Sequence, residues 1–387
     1  ICTHQKDDSI VITMSEQVKE SSQTEIQQKR STENLKGILP FTRLQWTKIL
    51  LFVLSLILFF IALETMKAGA REMTRVTRRL ADLDDPLGGL GLGWFSSYLT
   101  LSGSPIAAIA LTLFDIQTIS KFTAFGMIVG SRLGGSLTVI MIGVVYFLQG
   151  HERGTSLLTG ILSFLTTGLI YIGAAPLGLF LLGRLSLTLP FMSSLEGMAS
   201  PVDQLLGPIL GALTAFLPRW SVFLLGVMLT VISLNLIDKS LPEFELEDNV
   251  FGEVPSLLYR PLISFLLGFG LTLITMSVSI SLGLLIPLSV RGYIKRENLL
   301  PYIMGSNIST FIDTVIAGLL LRNPAAANLV LVQVLSVTII SLLILFIVYN
   351  RFQKFSIISA LWLNEKKSRL ITFLLFSFLI PLLLVLL

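Results

Sequence analysis

"TLSGSPIAA" (residues 100–108) interrupts an otherwise apolar stretch with two serines, a glycine and a proline. A lipid-facing helix gains nothing from that cluster, because backbone groups freed at bilayer depth are tolerated only where protein or a polar cavity covers them. The stretch therefore predicts a backbone break turned toward the inside of a membrane protein.

Composition supports the membrane. Of 387 residues, 53% are hydrophobic and 13% charged, with a mean hydropathy of +0.82; soluble domains carry about 25% charged residues. Apolar runs at 46–65, 122–149, 155–183, 219–237, 327–349 and 370–387 approach or exceed the roughly 20 helical residues that cross a hydrocarbon core. Residues 1–45 are rich in Glu, Gln, Ser and Lys and lack a signal-peptide core, so they read as a solvated tail, with Met14 as a candidate natural start.

Several function classes lose support at once. The basic residues fall in short loops and form no continuous face, which argues against a nucleic-acid partner. Cys2, His4 and His151 are the only residues of their kinds and cannot build a disulfide framework or a Cys/His metal site. No His-Glu-x-x-His, no recognisable catalytic dyad and no nucleotide loop is present, so the expectation is a protein that is not an enzyme and holds no organic cofactor.

Working outward from the quoted stretch, a shift of 175 residues aligns 86–143 with 261–318 without a gap. Pro86 meets Pro261, Gly93 meets Gly268, and Thr100, Ser102 and Ser104 meet Thr275, Ser277 and Ser279. Gly130 and Ser131 meet Gly305 and Ser306, and Gly143 meets Gly318. Apolar composition alone would not bring the polar and small residues into register.

Each copy has one plan. A helix from Pro86 to Leu101 rises about 24 Å and one from Pro105 to Gln117 about 20 Å, so the two together predict a re-entrant hairpin. Its tip is "TLSGSP" (100–105) in the first copy and "TMSVSI" (275–280) in the second. A charged elbow follows, "DIQTISKF" (115–122) or "RGYIKREN" (291–298), and then an apolar segment interrupted by "GSRLGG" (130–135) or "GSNIST" (305–310). Tandem glycine and serine at mid-span predict unwound helix there. The fold class expected is an all-α polytopic membrane protein with two inverted repeats, each a re-entrant hairpin and a broken transmembrane helix. The boundaries are 46–175 for the first repeat, 176–218 for a connecting segment, and 219–387 for the second repeat with a C-terminal span. "GAAPLG" (173–178) and "LPRW" (217–220) leave more than one span count open across 155–217, and 186–202 reads as an interfacial loop.

Paired broken helices at corresponding positions point to the binding site of a secondary transporter. Half-helix N-termini attract an anion, while carbonyls and Ser, Thr or Asn oxygens suit a hard cation. The candidate substrate- and ion-binding residues are Thr100, Ser102, Ser104, Ser131, Arg132, Thr275, Ser277, Ser279, Ser306, Asn307, Ser309, Thr310 and Asp313.

Residues 50–350 resemble the type II sodium/phosphate cotransporter family, whose repeats each carry a Q-S-S-S tip and a G-A-N-I-G-T-T break. Leu101 and Met276 stand where the motif has glutamine, and each is 29 residues before the break glycine, Gly130 or Gly305. "GSNIST" keeps Gly305, Asn307, Ile308 and Thr310, with Ser309 in place of a glycine; Arg132 replaces the asparagine of the first break. The resemblance implies phosphate as substrate, sodium as coupling ion, held at Ser277, Asn307 and Thr310, and alternating access in the plasma membrane.

Arg132 departs most from the pattern. A guanidinium within the bilayer is functional by default, and three readings stand open: it occupies a cation's place, it grips the anion bidentately, or it pairs with Asp313. Asp115 and Glu64 read as interfacial and solvated, and 71–79 as a surface helix. A carrier of another small anion such as a carboxylate, and a non-transporting membrane scaffold or regulator, remain alternatives. The oligomeric state is left open.

Lysine and arginine near span ends set orientation. Arg43, Lys48, Arg153, Lys239, Arg260, Arg291, Lys295, Arg296, Arg351, Lys354, Lys366, Lys367 and Arg369 fall on one expected side. Lys67, Arg71, Arg75, Arg78, Arg79, Lys121 and Arg322 fall on the other. The richer side, with the N-terminus and 350–369 as a loop, is expected to be cytoplasmic.

Overall fold

The computed structural model describes residues 43–71, 85–148, 153–187, 201–240, 260–277, 281–282, 285 and 296–386. The polar tail, most of the 71–79 run, the second elbow before Arg296 and Ser279 lie outside the described residues, as does most of 186–202. The chain divides into Ile1–Leu50 and Leu51–Leu387; the first unit contributes the opening turns of a helix, and the second holds everything that follows.

All regular structure among the described residues is helical. The helices are α1 (Arg43–Arg71), α2 (Pro86–Thr100), α3 (Ser104–Asp115), α4 (Lys121–Gly135), α5 (Leu137–Leu148), α6 (Arg153–Leu182) and α7 (Pro201–Phe216). Then come α8 (Arg219–Ser240), α9 (Pro261–Thr275), α10 (Arg296–Ser309), α11 (Ile312–Leu320), α12 (Pro324–Leu343), α13 (Tyr349–Glu365) and α14 (Lys367–Leu386). A π-helical turn, Ile344–Val348, joins α12 to α13. Among the described residues, seven helical stretches are long and apolar enough to cross a membrane: Trp46–Ala70, Lys121–Val145, Leu157–Leu182, Trp220–Ser240, Asn298–Leu320, Pro324–Glu365 and Lys367–Leu386.

Helix starts follow local chemistry. Asp85 caps α2 by accepting from the Gly88 amide at 2.9 Å, with Pro86 beginning the first turn. Ser120 accepts from Thr123 at the start of α4, and Asn323 accepts from Ala325 ahead of Pro324 at α12.

The two repeated segments have equivalent ends. Both α2 and α9 begin on proline and stop on threonine, and each passes into a residue with left-handed backbone, Leu101 or Met276. Their packing matches too. A Cβ on Gly93 would lie 2.0 Å from the Met127 carbonyl oxygen, and one on Gly268 2.0 Å from that of Tyr302. Gly130 faces the Leu90 carbonyl and Gly305 the Phe265 carbonyl at the same 2.0 Å. Glycine at these four positions lets backbone meet backbone, as small residues do in membrane helix pairs.

The interruptions differ from expectation. Residues 130–135 are helical, and the irregularity falls on Ser136; 305–309 are helical, and it falls on Thr310–Phe311. Ser136 and Phe311 keep right-handed backbone, so these are kinks of one or two residues rather than unwound stretches. The reason is that the serines are satisfied within their own helices: Ser131 donates to Ile128 O at 2.7 Å, Ser136 to Leu133 O at 2.6 Å and Ser309 to Gly305 O at 3.3 Å.

Helix α6 runs through Pro176 to Leu182, over the apolar run at 155–183. Two further differences stand out. Residues 350–365 form α13, continuous with the α12 span, instead of a loop. Asp115 and Glu64 are not simply solvated: Lys67 Nζ lies 2.9 Å from Asp115 Oδ2 and 3.2 Å from Glu64 Oε1. Asn323 Nδ2 donates to Asp115 Oδ1 at 2.8 Å, and Arg322 lies 4.0 Å from Glu64. An apolar surround leaves these charges few alternatives to one another.

Candidate functional site

The first tip is built by a left-handed turn. Leu101 (φ 50°) reverses the chain after α2, and the Thr100 hydroxyl donates to Ser102 O at 2.7 Å. At the second tip Met276 has φ 48°, and Thr275 donates to Ser277 O at 3.2 Å. A non-glycine residue in this region is uncommon, and two at equivalent places mark a conformation held by its surroundings. Thr138 adds a bond of 2.7 Å to Leu101 O.

Both tips and both kinks border a cavity of about 320 Å³. Of the residues named from sequence, Thr100, Ser102, Ser104, Ser131, Arg132, Ser277, Asn307, Thr310 and Asp313 line it. Thr275, Ser306 and Ser309 do not. Thr275 is turned into the tip's own bonding, and Ser306 joins a buried hydroxyl chain: Thr272 Oγ1 lies 2.7 Å from Ser306 Oγ and 2.6 Å from Ser281 Oγ, which lies 2.9 Å from Tyr302 OH. That chain braces α9 against α10.

Arg132 is the centre of the site. It is 6% exposed, and its Nη2 lies 3.1 Å from Asp313 Oδ1 and also donates to Thr314 Oγ1. Its Nη1 is 3.4 Å from both Ser104 Oγ and Thr310 Oγ1. The guanidinium also lies over the Phe311 ring, 4.9 Å from its centroid. Thus one side chain from α4 holds the first tip, the second kink and the first turn of α11 together. Of the three readings open from sequence, the ion pair with Asp313 is the one observed. Its Nε is buried and has no hydrogen-bond partner among the described residues. A donor of this kind is costly to leave unmet.

Asp313 lies in the first turn of α11, where a carboxylate complements the helix dipole. Its Oδ1 also accepts from Thr314 at 2.8 Å. On the opposite wall, Asn307 Nδ2 donates to Thr167 Oγ1 at 3.1 Å, and Tyr171 OH reaches Asn307 O at 3.4 Å.

Sequence reasoning missed the contributions of α6 and α8. Thr167 and Tyr171 are spaced i, i+4 on α6, and Asn235 and Asp238 are spaced i, i+3 on α8; all four line the cavity. The signal available was that spacing within apolar runs. Asp238, followed by Lys239, instead reads as a charge at a span end.

Chemically, the arrangement offers one guanidinium, several hydroxyls, the N-terminal end of α3 at Gly103–Pro105, and two carboxylates. It suits a small anion with a companion cation better than a bulky apolar ligand. Comparisons with known family models, curated proteins and solved structures find no match for this chain.

Proposed function

We propose that the chain is a secondary active transporter that carries a small inorganic anion, phosphate first, by alternating access with sodium as the coupling ion. The supporting observation is the meeting of both tips and both kinks around a buried arginine whose Nε lacks a partner. A scaffold has no need to bring two tips, two kinks and a buried arginine to one polar cavity.

In this reading α2 and α3 form a re-entrant hairpin, since their 15 and 12 residues rise only about 22 and 18 Å against a core of about 30 Å. Segments 86–143 and 261–318 are inverted copies, and the N-terminus is cytoplasmic. Lys67, Asp115 and Arg322 gather at the end of α3 away from its tip, which agrees with assigning Lys67 and Arg322 to one face. Arg132, where the resembled motif has asparagine, keeps a carboxylate as the second reading of the cargo, because one guanidinium already paired with Asp313 also suits a singly charged anion.

Counterflow of labelled phosphate in proteoliposomes, with and without a sodium gradient, tests the reading. Sodium-stimulated uptake that falls at least about tenfold, a change worth about 1.4 kcal/mol, in Arg132→Ala with Ser277→Ala is expected. Uptake of a carboxylate alone favours the second cargo; no uptake of either, or uptake indifferent to both substitutions, overturns the site.

A further inference from the structure

Helix α8 lies outside the two aligned segments, 86–143 and 261–318, yet it brings Asn235 and Asp238 to the cavity wall. The Asp238 carboxylate is in hydrogen-bonding contact with the Ser277 hydroxyl at the second tip and within electrostatic reach of Asp313. The cavity's other charged or titratable side chains are Arg132 from α4, Asp313 from α11 and Tyr171 from α6; Lys239 adjoins Asp238 on its own helix.

Charge balance in this space is uneven. One guanidinium faces two carboxylates, and Asp313 already engages the guanidinium at 3.1 Å. Asp238, when ionised, therefore adds a negative charge that no cation among the cavity-lining residues offsets. An anion approaching Arg132 meets that charge across the same cavity of about 320 Å³, where reduced dielectric strengthens repulsion. The cavity nonetheless presents a guanidinium suited to an anion.

A bound cation resolves the conflict. A carboxylate, a hydroxyl and the side-chain amide of Asn235 one turn earlier supply the oxygen donors that a hard ion prefers. A proton on the carboxylate would cancel the same charge. We propose that Asp238, with Ser277 and Asn235, is the binding site of a monovalent cation, sodium or a proton, whose arrival admits the anion to Arg132. The assignment rests on the anion-carrier reading for its role in coupling, but the cation site itself stands on Asp238, Ser277 and Asn235.

Two measurements on the purified full chain in detergent test it. The first is thermal unfolding without any anion, across a sodium titration at constant ionic strength with choline and across a pH series without sodium. Ligands that bind only the folded state raise its melting temperature. The wild type is expected to melt higher with sodium, or as pH falls, and the Asp238→Asn variant to lose that dependence while Asp238→Glu keeps it. The second is binding of labelled phosphate under the same two series. Wild-type affinity is expected to rise at least about tenfold with the cation, equivalent to about 1.4 kcal/mol, and Asp238→Asn to bind phosphate with less than twofold dependence.

Response to sodium at fixed pH assigns the ion as sodium, and response to pH alone assigns it as a proton. Melting that is indifferent to both, or dependence that survives in Asp238→Asn, overturns the cation site. Cation-dependent melting lost in Asp238→Asn, with no phosphate binding under any condition, supports the cation site and counts against phosphate as cargo.

Discussion

Leu101 and Met276, 175 residues apart in sequence, close α2 and α9 with the same left-handed backbone, at φ 50° and 48°. Leu101 is 55% exposed, so its side chain is not what holds it there. The conformation is imposed by the turn, braced by Thr100 and Thr138 at the first tip and by Thr275 at the second.

Residue choice at these positions should therefore follow backbone preference. Leu101→Gly is expected to raise stability by up to about 1–2 kcal/mol, the left-handed penalty that leucine carries and glycine does not, Leu101→Asn to leave it unchanged or raised, and Leu101→Val to lower it, because a branched Cβ crowds the turn further. Met276 should rank the same three residues in the same order. Thermal unfolding in detergent reads both series, and a valine as stable as glycine would show that the turn is not held as described.

The Arg132–Asp313 pair is buried on both sides, at 5% and 6% side-chain exposure. Removing one partner strands the other, so Arg132→Met and Asp313→Leu should each destabilise by about 3–5 kcal/mol. The double variant should recover most of the loss, because no charge is left stranded. A full cycle by denaturant or thermal unfolding measures the coupling; strictly additive losses would mean that the two do not depend on each other.

Gly93 and Gly268 offer a steric test. Alanine normally improves a helix by about 0.5–1 kcal/mol over glycine, but a Cβ 2.0 Å from a carbonyl oxygen forces the helices apart, at about 1–3 kcal/mol. Gly93→Ala and Gly268→Ala should both lower the melting temperature. Gly168→Ala in α6, where a Cβ has nothing within 4 Å, should raise it. Equal behaviour at the three sites would contradict the close approach of α2 to α4 and of α9 to α10.

Much of the helical plan was legible. Pro86 and Pro261 mark helix starts, and the Thr-x-Ser of each tip marks where they end. What sequence did not reveal was which of two tasks a Gly-Ser pair performs. At 130–131 and 305–306 glycine serves close packing, while Ser131 bonds within its own helix and Ser306 bonds Thr272 of α9, so the helix continues. Nor do residues near one another in sequence disclose their distant partners. Asp115 reads as solvated until Lys67 and Asn323 are found beside it, and Asp238 reads as a span-end charge until Ser277 faces it. Nine of the thirteen residues named in advance border the cavity, because register between the two copies carried spatial information that no single motif held.

Lys67 has a mechanical consequence. It fastens the heel of α3 at Asp115 while the toe of that helix, at Ser104, touches Arg132 across the cavity. A helix clasped at both extremities cannot pivot about either one freely: tilting its toe strains the clasp at its heel, where Asn323 already shares the carboxylate. Any tilt of α3 at the cavity is thereby geared to the charge cluster at its far end, and α1 and α12 are drawn into it.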